Sequence, residues 1–142
     1  MLIPHVVNTE PDKVFVNFLN KQAVTVNAGD AVAWDASTAD GVRASQPISA
    51  GLSLFLGIVD ADTAADAYGL AQVYGYRSGA LLTNDTSVSV LAGDILVPVN
   101  AADRLARSAA SDGKTGFIFA GEAYNTGTTP VAALKKVFVR AL

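Results

Sequence analysis

The chain has 142 residues, 51% apolar and only 16% charged, with ten Lys and Arg, thirteen Asp and Glu, a formal net charge of −3 and no cysteine. That length suits one domain able to bury about two thirds of its unfolded surface, and without thiols neither disulfides nor thiolate metal ligands hold it together. The scattered cations form no stripe that would neutralise phosphates, which argues against nucleic acid, and so sparse a surface charge points to area reserved for protein contacts.

The start, Met1-Leu2-Ile3-Pro4-His5, lacks a positive segment followed by a long apolar stretch, and no apolar run reaches 18 residues. Neither a signal peptide nor a membrane span is expected. Residues 1–12 carry Pro4 and Pro11 with weak periodicity and read as an extended arm, ordered only where something ties it down. From Lys13 the pattern turns to β. Val14, Val16 and Phe18 alternate with Lys13, Phe15 and Asn17.

Ala23 to Val26 alternates next, and Asn27-Ala28-Gly29-Asp30 supplies turn residues before Ala31-Val32-Ala33-Trp34. A polar loop from Asp35 to Gly41 leads to a short strand at Val42-Arg43-Ala44, which ends before Pro47. Leu52, Leu54, Leu56 and Ile58 predict one apolar face of a core strand. Tyr68 to Tyr76 is rich in β-formers, Gly75 to Gly79 reads as a bend, and Thr83-Asn84-Asp85 as a turn.

The second half repeats this plan. Val24-Thr25-Val26-Asn27-Ala28-Gly29-Asp30 recurs 64 positions later as Val88-Ser89-Val90-Leu91-Ala92-Gly93-Asp94. At the same offset Phe55 meets Phe119, Gly57 meets Gly121, Leu70 meets Leu134, Val73 meets Val137 and Tyr74 meets Phe138. This predicts two tandem β units, about 22–76 and 86–140, meeting near residue 84, the alternative being two unrelated hairpins with the same turn chemistry. Further strands follow at Ser87 to Leu91, Ile95 to Val99, Phe117 to Phe119 and Lys135 to Arg140. Ala101 to Ala110 has a helix-favouring composition, but its counterpart holds Gly41 and Val42, so a loop and short strand is equally open.

The expected fold class is therefore all-β, a compact β-barrel or β-sandwich, since the same alternating strands serve both. One domain spans 13–142 behind the arm at 1–12.

Chemistry-bearing residues are few. His5 is the only histidine and has no cysteine or second histidine to complete a metal or nucleophilic constellation. Asp60, Asp62 and Asp66 approach a calcium loop, but Ala64 and Ala65 stand where it would need a ligand and a glycine. Gly75 to Gly79 lacks the Gly-Lys-Ser/Thr of a phosphate cradle. No catalytic residue, cofactor or metal is assigned, and no enzyme activity is expected. Trp34, Tyr68, Tyr74 and Tyr76 suit either a sugar platform or, more in keeping with ring-rich strands, interface anchors.

The runs Ala28-Gly29-Asp30-Ala31-Val32-Ala33-Trp34-Asp35, Asp40-Gly41-Val42, Gly57-Ile58-Val59 and Gly69-Leu70-Ala71-Gln72-Val73-Tyr74-Gly75 resemble the small decoration, or cement, proteins of tailed-bacteriophage heads. The likeness covers roughly residues 22–80 and, more faintly, the second copy. It implies a β domain on the outer surface of the mature capsid, bound to the major capsid protein and stabilising contacts between its subunits. It also implies a homo-oligomer, a trimer favoured over a dimer, with neither nucleic acid nor membrane as partner. The expected contacts are Leu2, Ile3, His5 and Val6 in the arm and Trp34, Tyr68 and Tyr76 on the domain. A carbohydrate-binding β-sandwich module is the alternative function.

Overall fold

The computed structural model describes residues 12–38, 40–48, 54–84, 89–108, 118–125 and 131–141. Of the expected arm, only Asp12 falls among them, so Leu2, Ile3, His5 and Val6 lie outside the described residues. Among the described residues there are nine strands: β1 (Val14–Asn20), β2 (Ala31–Trp34), β3 (Arg43–Ser45), β4 (Phe55–Val59), β5 (Tyr68–Thr83), β6 (Ile95–Pro98), β7 (Leu105–Arg107), β8 (Ile118–Ala120) and β9 (Ala132–Arg140). No helix occurs among the described residues, so the fold is all-β. Over 101–108, the described part of that stretch, the ambiguity resolves to a loop and the short strand β7. Ala23 to Val26 and Ser89 to Leu91 form no strands; Val26 and Val90 make single bridges, to Thr63 and Tyr124.

The pairings close two circuits. β1 pairs with β3, β3 with β2, β2 with β4, β4 with the first half of β5, and β5 returns to β1. The second half of β5 pairs with β7, β7 with β6, β6 with β8, β8 with β9, and β9 returns to β5. The architecture is thus two five-stranded barrels fused along one 16-residue strand, β5. Closure leaves each barrel with no unpaired long edge, which decides between barrel and sandwich.

Each barrel has its own core. Phe18, Val26, Val32, Leu56, Val59 and Val73 fill the first, and Leu82, Leu96, Leu105, Ile118, Val137 and Val139 lie in the second. Full burial of a side chain such as Phe18 or Ile118 stabilises by roughly 1.5–3 kcal/mol. Ala31, Phe55 and Ile58 of the first barrel belong to the second core, so the outer face of β2 and β4 plugs the neighbouring barrel. This explains why β4 is buried at every position. The register skips Leu56 between Gly57 and Phe55, a bulge that sends Leu56 and Ile58 into different cores rather than onto the single face that the alternation predicts.

The tandem repeat is written in the hydrogen bonds. Gly29 N–H donates to Val59 O at 2.9 Å and Gly93 N–H to Ala120 O at 2.7 Å. The Asp30 carboxylate accepts from Asn27 N–H at 2.7 Å, as the Asp94 carboxylate does from Leu91 N–H at 2.7 Å. Leu19 faces Tyr68 as Thr83 faces Ala132, and Ala31 faces Ile58 as Ile95 faces Phe119.

These equivalences correct two sequence expectations. The turn and β5 keep the offset of 64, but Ile58 corresponds to Phe119 and Val59 to Ala120, an offset of 61, because the second copy takes three fewer residues to reach this strand. The matches of Phe55 with Phe119 and of Gly57 with Gly121 are therefore coincidences of register. The units also meet inside β5 rather than near residue 84. The stretch Gly75 to Gly79 is not a bend but strand, with a bulge between Arg77 and Ala80 and a positive φ of 102° at Gly75. A Cβ at Gly75 would lie 2.2 Å from Asp12 O, so the close pass of the incoming chain requires glycine there.

Candidate interaction surface

One apolar cluster on the outside of the barrels forms the candidate site. At the waist, where the barrels share β5, Tyr76 pairs with Phe138, and Tyr74 meets Phe138 edge-on with ring centroids 5.5 Å apart. Val14 pairs with Tyr74 from β1, and Phe15 follows it; all five side chains are exposed. Arg140, opposite Tyr74 on β9, sets a cation beside the rings. The sequence puts these residues outside because the inward positions on β5, Ala71 and Val73, alternate with them.

Further along β5, Tyr68 is 71% exposed and pairs with Leu19. Eight residues separate Tyr68 from Tyr76, on the order of 25 Å of strand. Trp34 is half-buried on β2 and packs against the first core. The three predicted contact residues of the domain are therefore not gathered into one patch. Tyr76 belongs to the waist cluster, Tyr68 lies apart from it with Leu70 exposed on the same face, and Trp34 is mainly a packing residue. Val14, Phe15 and Phe138 were missed; the available signal was a large apolar residue on what alternation marks as the outward face.

The acids of the 60–66 loop are each engaged separately. Asp60 pairs with Arg77 at 2.6 Å, Asp62 accepts from Ala28 N–H at 2.8 Å, and Asp66 pairs with Lys21. Among the described residues no group of three His, Cys, Asp or Glu is placed to hold a metal ion. A groove of about 370 Å³ opens beside the waist between Lys13, Asp60, Arg77, Ser78 and Leu134. Its arginine is committed: Nε donates to Gly79 O, one terminal nitrogen to Asp60 Oδ1, and the other to the carbonyls of Val59 and Asp60. That guanidinium ties β5 to the end of β4 and is not held open for an anion.

Burial pushes the Asp30 carboxyl above its ordinary value, against the lowering effect of the Asn27 hydrogen bonds and with added repulsion from Asp103 and Asp62. The Ser37 hydroxyl and N–H hold Asp35 low, and the N–H groups of Arg43 and Val42 do the same for Asp40. Each of these acids organises a turn, since it accepts from main-chain N–H groups within three residues, with the Asn27 amide added at Asp30, the Ser37 hydroxyl at Asp35 and the Arg43 guanidinium at Asp40. The exposed rings of the waist offer apolar contact area.

No family model and no curated protein matches the chain.

Proposed function

We propose that this protein is a decoration protein of a tailed-phage head, bound to the outside of the mature shell and stabilising contacts between major capsid subunits. The observation that carries the reading is the waist cluster of Val14, Phe15, Tyr74, Tyr76 and Phe138, five large apolar side chains left exposed on a scaffold of closed barrels. Aromatic rings on a rigid surface give contact area at low entropic cost, the usual chemistry of an interface anchor. The sequence resemblance to cement proteins supplies the partner. A ligand that binds the assembled shell and not the opened one stabilises the shell by linkage, and many copies add their effects.

The test is co-sedimentation with mature capsids that lack the protein, followed by heating of bare and decorated shells. Saturable binding at a fixed ratio to the coat subunits, with a higher disruption temperature, is expected for the wild type. Tyr76→Ser and Phe138→Ser are expected to weaken binding by about tenfold or more, each removing a ring worth over 1 kcal/mol at an interface. Absence of binding would sink this reading and bring glycan recognition forward, to be tried on a glycan array.

A further inference from the structure

Within one chain, the first barrel docks onto the second through a defined pair of faces. The docking face of the first barrel comprises the Gly29 turn and the paired residues Ala31 and Ile58, both fully buried in the second core. The receiving end of the second barrel comprises β5 around Gly79 to Leu81, with Leu134 beside it. Leu81 N–H donates to Gly29 O at 2.8 Å, and the α-carbon of Gly29 faces Leu134 and the Gly79 carbonyl.

Because the barrels are repeats, each of these faces exists a second time. The counterpart of the docking face is the Gly93 turn with the pair Ile95 and Phe119 on the second barrel. Ile95 is 39% exposed, Leu91 at the turn is 55% exposed, and no described atom lies within 4 Å of where a Gly93 Cβ would stand. The counterpart of the receiving end lies on the first barrel. Leu70 stands 64 positions before Leu134, and Phe15 and Asn17 stand 64 before Gly79 and Leu81; Phe15 and Asn17 are exposed where Gly79 and Leu81 are half-buried, while Leu70, like Leu134, keeps much of its side chain in solvent. Val42, in the loop entering β3, is exposed on the same barrel.

A terminal repeat with no neighbour to stack on carries a polar outer face. Here the outer pair is Ile95, exposed, and Phe119, half-buried, in place of Ala31 and Ile58, so the outer docking face carries the larger apolar pair. The geometry points to head-to-tail self-association: the second barrel of one copy docks on the first barrel of the next, repeating the contact made inside each chain. The occupant of both faces is thus a second copy of this protein. Such a contact is heterologous and gives a ring where the rotation closes and a filament where it does not. The inference does not rest on the capsid reading, because its test uses the purified protein alone.

Sedimentation velocity across a concentration series tests it with two single variants, Ile95→Asp in the docking face and Leu70→Asp in the receiving end. The wild type is expected to associate with rising concentration, and each variant to weaken association by more than about tenfold. An equimolar mixture of the two variants still has one intact face of each kind and is expected to form a one-to-one dimer that grows no further. Leu91→Glu and Val42→Glu, both at exposed positions, repeat the experiment should either first variant lose its cooperative melt. A wild type that stays monomeric to about 1 mM, as it would if another part of the chain covered these faces, overturns the inference. So does a mixture that fails to complement, the result expected of a symmetric dimer.

Discussion

The N–H of Leu81 donates to the carbonyl of Gly29 at 2.8 Å, and this bond joins the tip of a turn in one barrel to the shared strand as it enters the other. Gly29 and Gly93 have nearly the same φ, 95° and 89°, in turns of the same sequence position. Only Gly29 is packed: a Cβ there would lie 2.6 Å from Leu134 Cδ2 and 3.0 Å from the Gly79 carbonyl. Gly93→Ala is therefore expected to cost about 1–2 kcal/mol, the strain of a left-handed alanine. Gly29→Ala adds the repacking of the barrel junction, a further 1–3 kcal/mol or so. Urea unfolding of the two variants measures the difference; equal losses would mean that the junction yields without cost.

Asp30 is expected to give stability a distinctive pH dependence. Burial raises its folded pKa above the unfolded 3.8, so the folded state binds more protons in the interval between the two values. Its contribution is then fully present below about pH 3.8 and is lost as pH rises through the folded value. Asp35 has the opposite sign, because the Ser37 hydroxyl and N–H lower its pKa, and its contribution is lost as pH falls below 3.8. Urea midpoints of wild type, Asp30→Asn and Asp35→Asn between pH 2.5 and 7 separate the two. The wild-type advantage over Asp30→Asn should shrink as pH rises, and the advantage over Asp35→Asn should shrink as it falls; parallel curves would contradict both assignments.

Gln72 is fully buried on β5, and its amide donates to the carbonyls of Tyr74 and Tyr76 at 3.1 Å each, while its Oε1 has no partner among the described residues. The side chain serves main-chain carbonyls where two barrels part from one strand. Gln72→Met removes this donor to both carbonyls but also removes the orphan oxygen, so a loss of about 1–2 kcal/mol is expected. Gln72→Glu sets a carboxylate against the same carbonyls and should cost more than about 3 kcal/mol at neutral pH, partly recovered in acid as the carboxyl protonates and can donate again. A Gln72→Glu protein as stable at pH 7 as at pH 4.5 would show that this amide does not do that work.

The repeat was legible because turn chemistry is local: Gly and Asp must stand where the chain reverses, and Asp30 and Asp94 make the same bond to the third residue before them. What lay outside the turns was less so. A loop three residues shorter moved β8 out of the common offset, and two chance identities, at Phe119 and Gly121, hid the shift. The shared strand was concealed by its own glycines, since Gly75 and Gly79 read as a bend whereas they serve a close pass and a bulge. Residue type named Tyr68 and Tyr76 as surface rings, yet it could not show that Tyr76 stands among Tyr74, Phe138 and Val14 while Trp34 turns to a core. Alternation tells inside from outside within one strand; which outer faces meet is a matter of tertiary packing.

Arg77 supplies the last prediction, because its guanidinium reaches three carbonyls and one carboxylate from the bulge in the shared strand. The side chain is 14% exposed and Asp60 41%, so solvent screens the ion pair, whereas the planar fork donates to the carbonyls of Val59, Asp60 and Gly79, at Val59 alongside the Gly29 N–H. Arg77→Lys keeps the charge but offers a single nitrogen on a shorter reach, and should cost about 1–3 kcal/mol. Asp60→Asn keeps an acceptor for the arginine and should cost less than about 1 kcal/mol, with little change in 0.5 M salt. Chemical denaturation of both variants, with and without salt, sets the two contributions apart. If Asp60→Asn were the more damaging of the pair, the junction would be held by charge rather than by the carbonyl clamp, and its stability would fall steeply with ionic strength.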